Sequence, residues 1–435
     1  MIIAKRLKGK AIATLLGPTG EAARRALSRV KDSITNAPRR LDFYFEIADA
    51  WSYLTALAVR RLVENFPIEL AFHVITPPSS DVDAAPTLRP PHAVRDAHLL
   101  AQFYALEFPG KREADSGLVR DVSTALIRAR PAMQQLEAAL ELTRAMWQND
   151  KKLLATLLGK WGTEAHNSVP PVLNSAYAEL RKRGHYQGGM LHYNGIWYWG
   201  IDRLPYLEAE LAKDLQRDVV HTVEQRPLAE RGPLALSDKP LTCEMWFSFR
   251  SPYSYLALEQ IETILAPYKV PLVLRPVAPM VARGLPVPGV KRMYIVRDAK
   301  READRLGISF GELCDPLGTG VDHCIALAHW AEQRGAGLAF ARSAMRGIWS
   351  EARDVAEYVD LRAIVERAGL PWDEAREAIS RPEGAKAAAG NAADLAVIGL
   401  WGVPSFRVGD FVAWGQDRLP LLADRLRRHA LVGSS

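Results

Sequence analysis

Two stretches of the chain alternate apolar and polar residues and then change to a helical pattern. Phe43, Phe45 and Ile47 alternate in the first stretch, and Cys243, Met245, Phe247 and Phe249 in the second. A period of two places such residues on one face of a strand. Helical periodicity follows from about Ser52 and from about Ser254. Next come β-rich runs, IELAFHVI in the first stretch and PLVLRPV in the second. About 100 residues then carry Leu, Ala and Trp at three- and four-residue spacing, which predicts a helical insert. Each stretch closes on a hairpin and a final helix. The hairpin turns are Asn194-Gly195 and Gly409-Asp410, residues that tolerate positive φ. The order strand–helix–strand, helical insert, strand–strand–helix predicts an α/β arrangement on a mixed sheet.

The two stretches also match in their letters. FYFEIADAWSYL near residue 43 matches MWFSFRSPYSYL near 245, and HAVRDA at 92–97 matches YIVRDA at 294–299. YNGIWYWGIDRLPYL near 193 matches VGDFVAWGQDRLPLL near 408. The pairs occur in the same order at similar spacing, the signature of an internal repeat. The expected layout is therefore an N-terminal arm over 1–40, one copy over 41–211, a linker over 212–240 and a second copy over 241–428. The linker contains QRPLAERGPLALSDKP, with scattered proline and charge. What both copies share is expected to serve folding. What one copy alone has is a candidate for chemistry.

Composition narrows the class. The chain has 435 residues, 48% hydrophobic and 24% charged, which excludes disordered, collagen-like and disulfide-scaffold proteins. No apolar run reaches the ~18 residues of a membrane span, so no integral membrane segment is expected. The three cysteines, Cys243, Cys314 and Cys324, form no CxxC and no metal-ligand spacing. That disfavours a secreted disulfide protein and a zinc ribbon, and it fits a reducing, cytoplasmic setting without a metal. The net charge of +6 is not a nucleic-acid signal. Residues 1–40 hold ten Lys/Arg against Glu21 and Asp32, a balance of +8, so the rest of the chain carries −2. The basic arm has two readings: it packs on the body as a helix, or it lies on an anionic membrane surface.

Two differences between the copies draw attention. Where the first strand turns into its helix, the second copy has Ser251-Pro252-Tyr253-Ser254 and the first has Asp49-Ala50-Trp51-Ser52. Ser or Asp is a favoured N-cap and Pro is favoured at the first helical position, so helix capping alone explains the residues. A hydroxyl at a helix N-terminus also sits beside free backbone N–H groups and the positive end of the dipole, where a thiolate is stabilised. A carboxylate at that position would repel one. Before the closing hairpin, the second copy has Gly402-Val403-Pro404-Ser405-Phe406, whereas the first has Gly188-Gly189-Met190-Leu191. A cis Val403–Pro404 bond is one way to turn the chain there and present a backbone carbonyl and N–H to a ligand; a rigid turn is the other reading.

The segments FSFRSPYSYLA at 247–257, KRMYIVRDAKREA at 291–303 and GVPSFRVGDFVAWGQDRL at 402–419 carry a family likeness. The second copy resembles the 2-hydroxychromene-2-carboxylate isomerases and kappa-class glutathione transferases. Copy one resembles the same family more faintly. The resemblance implies two tandem thioredoxin-like domains, each with a helical insertion of the DsbA type. It implies glutathione as cofactor, with Ser251 hydrogen-bonding its sulfur as the catalytic residue. Val403, before Pro404, would pair with the cysteinyl backbone, Gln416 and Asp417 would hold the γ-glutamyl end, and Lys291 would meet a carboxylate. The chain departs from its relatives at Gly284-Leu285-Pro286, where they often carry Gly-Asn before two prolines. The implied activity is a glutathione-dependent isomerisation of a conjugated acid. The alternatives are a kappa-like transferase and a non-catalytic binding or scaffold protein that has kept the fold. A tandem chain of this kind is expected to imitate the family's dimer internally, with a small molecule as its partner. Disulfide exchange is excluded on chemistry, because both positions of the would-be CxxC, 251 and 254, are serine.

Residues found in both copies are expected to be structural. Asp202-Arg203 and Asp417-Arg418 read as a cap with a salt bridge, which weighs against Asp417 as a glutathione contact. Arg95-Asp96 and Arg297-Asp298 recur likewise. Tyr53, Tyr255, Trp199 and Trp414 read as packing. His323 reads as a satisfied core histidine, and the three cysteines as ordinary thiols.

Overall fold

A computed structural model of the protein describes residues 14, 16–34, 40–235 and 240–432. Two compact units share the chain. One runs from Ala23 to Arg231, and the other comprises Gly232 onward with the described residues before Ala23. Residues 1–13, 15 and 35–39 of the basic arm, and 236–239 of the expected linker, lie outside the described residues. Within the arm, Pro18–Ile34 forms a helix (α1). Arg25 and Arg29 pair with Glu210 and Asp214 at 2.9 and 2.8 Å, so these two arginines are engaged on the unit's own surface.

In the first unit, β1 (Arg40–Glu46) is central in a four-stranded sheet of order β2-β1-β3-β4. It runs parallel to β2 (Glu69–Ile75) and antiparallel to β3 (Met190–Tyr193), which pairs antiparallel with β4 (Ile196–Trp199). Helix α2 (Ala50–Asn65) joins β1 to β2. Helices α3 (Arg89–Phe103), α4 (Ser116–Leu126), α5 (Ala132–Gln148), α6 (Lys151–Trp161) and α7 (Val169–Lys182) make up the insert. Helix α8 (Leu204–Leu215) and the short α9 (Leu228–Arg231) follow the hairpin. Asn194 and Gly195 take φ of 53° and 80°, the left-handed pair a tight hairpin needs.

The second unit has a sheet of order β6-β5-β7-β8 with the same orientations. Its strands are β5 (Cys243–Phe247), β6 (Leu272–Pro276), β7 (Ser405–Val408) and β8 (Phe411–Trp414). Helix α10 (Pro252–Leu265) joins β5 to β6. The insert comprises α11 (Gly289–Leu306), α12 (Thr319–Glu332), α13 (Gly337–Ser350), α14 (Tyr358–Arg367), α15 (Trp372–Ala378) and α16 (Glu383–Val397), and α17 (Leu419–Val432) closes the unit. The expected mixed α/β order is thus present around each sheet. Register in the second sheet is held by charge: Glu244 stands opposite Arg407 and also pairs with Arg275, a cross-strand pairing that specifies alignment.

The insert is tied to the first helix at a matching point in each unit. Trp51 Nε1 donates to Asp96 at 2.8 Å, and Tyr253 Oη donates to Asp298 at 2.7 Å. These contacts fix α3 over the start of α2, and α11 over the start of α10. They give Asp96 and Asp298 structural work. His323 is buried with Nδ1 on the Val355 carbonyl at 3.1 Å. All three cysteines are buried, and burial pushes the Cys243 thiol up to about 12. One expectation is corrected. Asp202 and Asp417 lie inside short 3-10 turns whose capping positions are Gly200 and Gly415, and no side chain caps those turns; the expected ion pair is present between Asp417 and Arg418 at 3.6 Å.

Candidate functional site

Ser251 is the N-cap of α10. The strand ends at Phe247, the chain turns through a bond from Ser251 N–H to the Ser248 carbonyl at 2.9 Å, and Pro252 opens the helix. Its hydroxyl oxygen accepts from Ser254 N–H at 3.2 Å and donates to the Val403 carbonyl at 3.3 Å. Ser254 lies below, fully buried, where its own hydroxyl accepts from Ser248 N–H. Of the two serines in the would-be redox positions, Ser251 is half-buried and meets Val403. Its neighbour Arg250 is held by Asp315 through two bonds of 2.7 and 2.8 Å.

The Val403–Pro404 bond is cis. The Pro404 carbonyl accepts from Gly415 N–H at 2.9 Å, and Ser405 Oγ donates to the Gly402 carbonyl at 2.8 Å. These bonds pin the loop from both sides. The Val403 N–H has no hydrogen-bond partner among the described residues. An unpaired amide beside a carbonyl that holds only a serine hydroxyl is a strand edge ready for an extended ligand. The Trp401 and Trp414 rings pack at 4.8 Å between centroids beside this edge. Trp414 also explains Gly402: a Cβ there would fall 2.3 Å from the indole. Gly402→Ala is therefore expected to force the ring or the loop aside and to cost roughly 1–3 kcal/mol. Thermal denaturation checks this, and an unchanged melting temperature would contradict the packing.

The remaining expected site residues are placed as follows. Lys291 stands in the first turn of α11, the helix tied to α10 through Tyr253 and Asp298. Gln416 is buried, and its amide donates to Glu302 of α11 at 2.8 Å. Its nitrogen is thus engaged within the unit. Asp417 is partly exposed, lies 3.6 Å from Arg418, and sits against Gly415, where a Cβ would touch its carboxylate. Ser251 and Val403 meet directly; Gln416 is tied to α11.

The corresponding place in the first unit is closed. Asp49 caps α2, with Oδ2 accepting from Ser52 N–H at 2.8 Å and Ser52 Oγ at 2.7 Å. Glu46 stands where the second unit has Ser248, and a Cβ on Gly188 would lie 2.5 Å from Glu46 Cβ and 2.7 Å from Ser52 Oγ. Gly189 takes the place of Pro404, its carbonyl accepting from Gly200 N–H at 2.9 Å. Arg89, the counterpart of Lys291, is buried against Glu46 at 3.1 Å and Asp83 at 2.9 Å. Burial raises the Glu46 carboxyl to about 8 and also raises Asp49, whose Oδ1 has no partner. The sequence reading missed this cluster. Its signal was Glu46 directly before the turn, with Arg89 matching Lys291.

Among the described residues no group of His, Cys, Asp and Glu is arranged to hold a metal, and no helix is long and apolar enough to cross a membrane. No curated protein matches the chain. A 2-hydroxychromene-2-carboxylate isomerase structure is similar at 21% identity, covering 44% of this chain and 98% of that one, with a TM-score of 0.39. A probable DsbA oxidoreductase from Streptomyces coelicolor is similar at 20% identity, covering 45% and 91%, with a TM-score of 0.36. The cytosolic disulfide reductase DsbM from Pseudomonas aeruginosa is similar at 19% identity, covering 44% and 97%, with a TM-score of 0.35. The family model described as a DSBA-like thioredoxin domain matches residues 242–427, and the second unit carries that domain.

Proposed function

We propose that the second unit binds glutathione at the N-terminus of α10 and acts in a reducing compartment as a glutathione-dependent isomerase of a conjugated, unsaturated acid. The observation that supports this most is the pairing of Ser251 with a Val403 edge whose N–H is unpaired. The Val403 N–H and carbonyl would take the carbonyl and N–H of the cysteinyl unit, as one strand takes another. That pairing releases the Ser251 hydroxyl from Val403 and leaves it to donate toward sulfur, while it still accepts from Ser254 N–H. The helix N-terminus and this hydroxyl together favour a thiolate. Lys291 would meet a carboxylate of the peptide. Glutathione held there would supply nucleophilic thiolate chemistry, reversible addition to a conjugated carbon, that allows rotation about what was a double bond.

The same strand order, the Asp49/Ser251 caps and the Trp51–Asp96 and Tyr253–Asp298 ties support descent of the two units by tandem duplication. The closed first unit then favours one ligand site per chain. Calorimetric titration of the full chain with reduced glutathione is expected to give a stoichiometry of one. Two sites would refute the closed reading of the first unit, and no heat would refute the glutathione reading in favour of a non-catalytic binding protein. Recovery of unchanged glutathione after turnover separates an isomerase from a transferase.

A further inference from the structure

After β6 the chain makes a short turn, Met280–Arg283, beside the Val403 loop. Arg283 Nε donates to the Ala278 carbonyl at 3.0 Å, and its Nη2 donates to the Trp401 carbonyl at 2.9 Å, two residues before Val403. The side chain is half-buried, and Nη1 has no partner but is not sealed in the interior. No carboxylate among the described residues pairs with this arginine. Every cause acting on its ionisation is desolvation, which lowers its pKa. That arrangement is unusual, because a guanidinium withdrawn from water is normally matched by an acid. Arg250, the residue before Ser251, is by contrast matched by Asp315. Two carbonyls hold the Arg283 fork in a fixed plane, and planar forks recognise carboxylates with two parallel bonds.

We propose that Arg283 is a carboxylate-binding residue at the edge of the Ser251–Val403 site, with a ligand carboxylate completing the pair that the chain itself leaves open. The presence of the subsite does not depend on glutathione. Which carboxylate occupies it rests on the functional reading above, and there are two sources: the glycine carboxylate of glutathione, or the acid group of the second substrate.

The test is calorimetry on the full chain and its Arg283→Gln and Arg283→Lys variants, with three probes. These are reduced glutathione, its glycine ethyl ester, and benzoate in the presence of S-methylglutathione. If the glycine carboxylate is the occupant, Arg283→Gln weakens glutathione binding by about tenfold or more, the loss of a charge-assisted bidentate pair. The ester then binds wild type and Arg283→Gln alike. If the second substrate is the source, benzoate binding is lost instead and glutathione binding is unchanged. In either case Arg283→Lys recovers part of the loss and wild-type binding weakens with added salt. Arg283→Lys also controls for the loop, because it retains the charge and a donor for the carbonyls. Equal binding of glutathione and of benzoate by wild type and Arg283→Gln overturns the assignment. Absence of glutathione binding by wild type with Arg283-dependent benzoate binding overturns the glutathione reading alone, and absence of both overturns both.

Discussion

Replacing Arg89 with methionine is expected to destabilise the first unit by about 3–5 kcal/mol at neutral pH, the effect of removing one partner from a buried charge cluster. Arg89 is hydrogen-bonded to both Glu46 and Asp83, at 3.1 and 2.9 Å, and it is the main charge offsetting Asp49. The loss depends on pH. Burial raises the Glu46 carboxyl from 4.5 to about 8. Between those values the folded state holds more protons than the unfolded chain, so raising the pH through that window withdraws stability. For a single group the slope stays below about 1.4 kcal/mol per pH unit. Asp49 moves in the same direction, again with burial as the leading cause. Glu46→Gln keeps the shape and removes one titration. It is expected to flatten the pH dependence and to restore part of the stability lost in Arg89→Met. Hydrogen exchange of the β1 and β2 amides reads the first unit even where the second opens separately. Wild-type protection that does not change from pH 5 to 8, or an Arg89→Met variant as protected as wild type, would contradict a sealed carboxyl cluster.

The same cluster shows where the sequence stopped being readable. Period-two alternation correctly located β1 and β5, and the matched segments located both hairpins, because those signals are local. Glu46 follows Phe45 in that alternation and reads as a polar, outward residue. It is buried because β1 is the central strand and both of its faces are covered, which a pattern along one strand cannot reveal. Gln416 was carried into the ligand site by resemblance, yet its amide partner is Glu302, 114 residues earlier, a pairing set by how α11 packs. Ser251 and Val403 stood out because the first copy lacks both the serine and the proline, and the family resemblance put them at one site; their direct contact came from the fold. Arg283 was not legible, since it lies in a loop with no period, and its interest comes from the acid it lacks. The capping error at Asp202 and Asp417 has a related cause: Gly200 and Gly415 take positive φ at those turns, where the geometry needs glycine and the aspartates fall inside.

Ser251→Ala is expected to lower glutathione-dependent turnover by about 10²–10³-fold, the effect of deleting one preorganised donor from a developing or resident anion. The variant also loses an N-cap worth about 1 kcal/mol, so a fall in activity alone would not separate chemistry from capping. Ser251→Asp separates them. A carboxylate caps α2 in the first unit, where Asp49 accepts from Ser52 N–H at 2.8 Å, so aspartate at 251 is expected to keep the α10 cap that alanine loses, while giving up the bond to the Val403 carbonyl. It would nevertheless place a negative charge against the sulfur and raise the thiol pKa of bound glutathione, where the wild-type hydroxyl and helix N-terminus lower it. Thiolate ultraviolet absorbance, titrated on the complexes of wild type and both variants, reads this directly. The expected order of thiol pKa is wild type lowest, alanine higher and aspartate highest, while the expected order of stability puts alanine lowest. The two orders differ because the cap needs only an acceptor, whereas the thiolate needs a donor. If the bound thiol has the same pKa in all three proteins, Ser251 is a helix cap and nothing more.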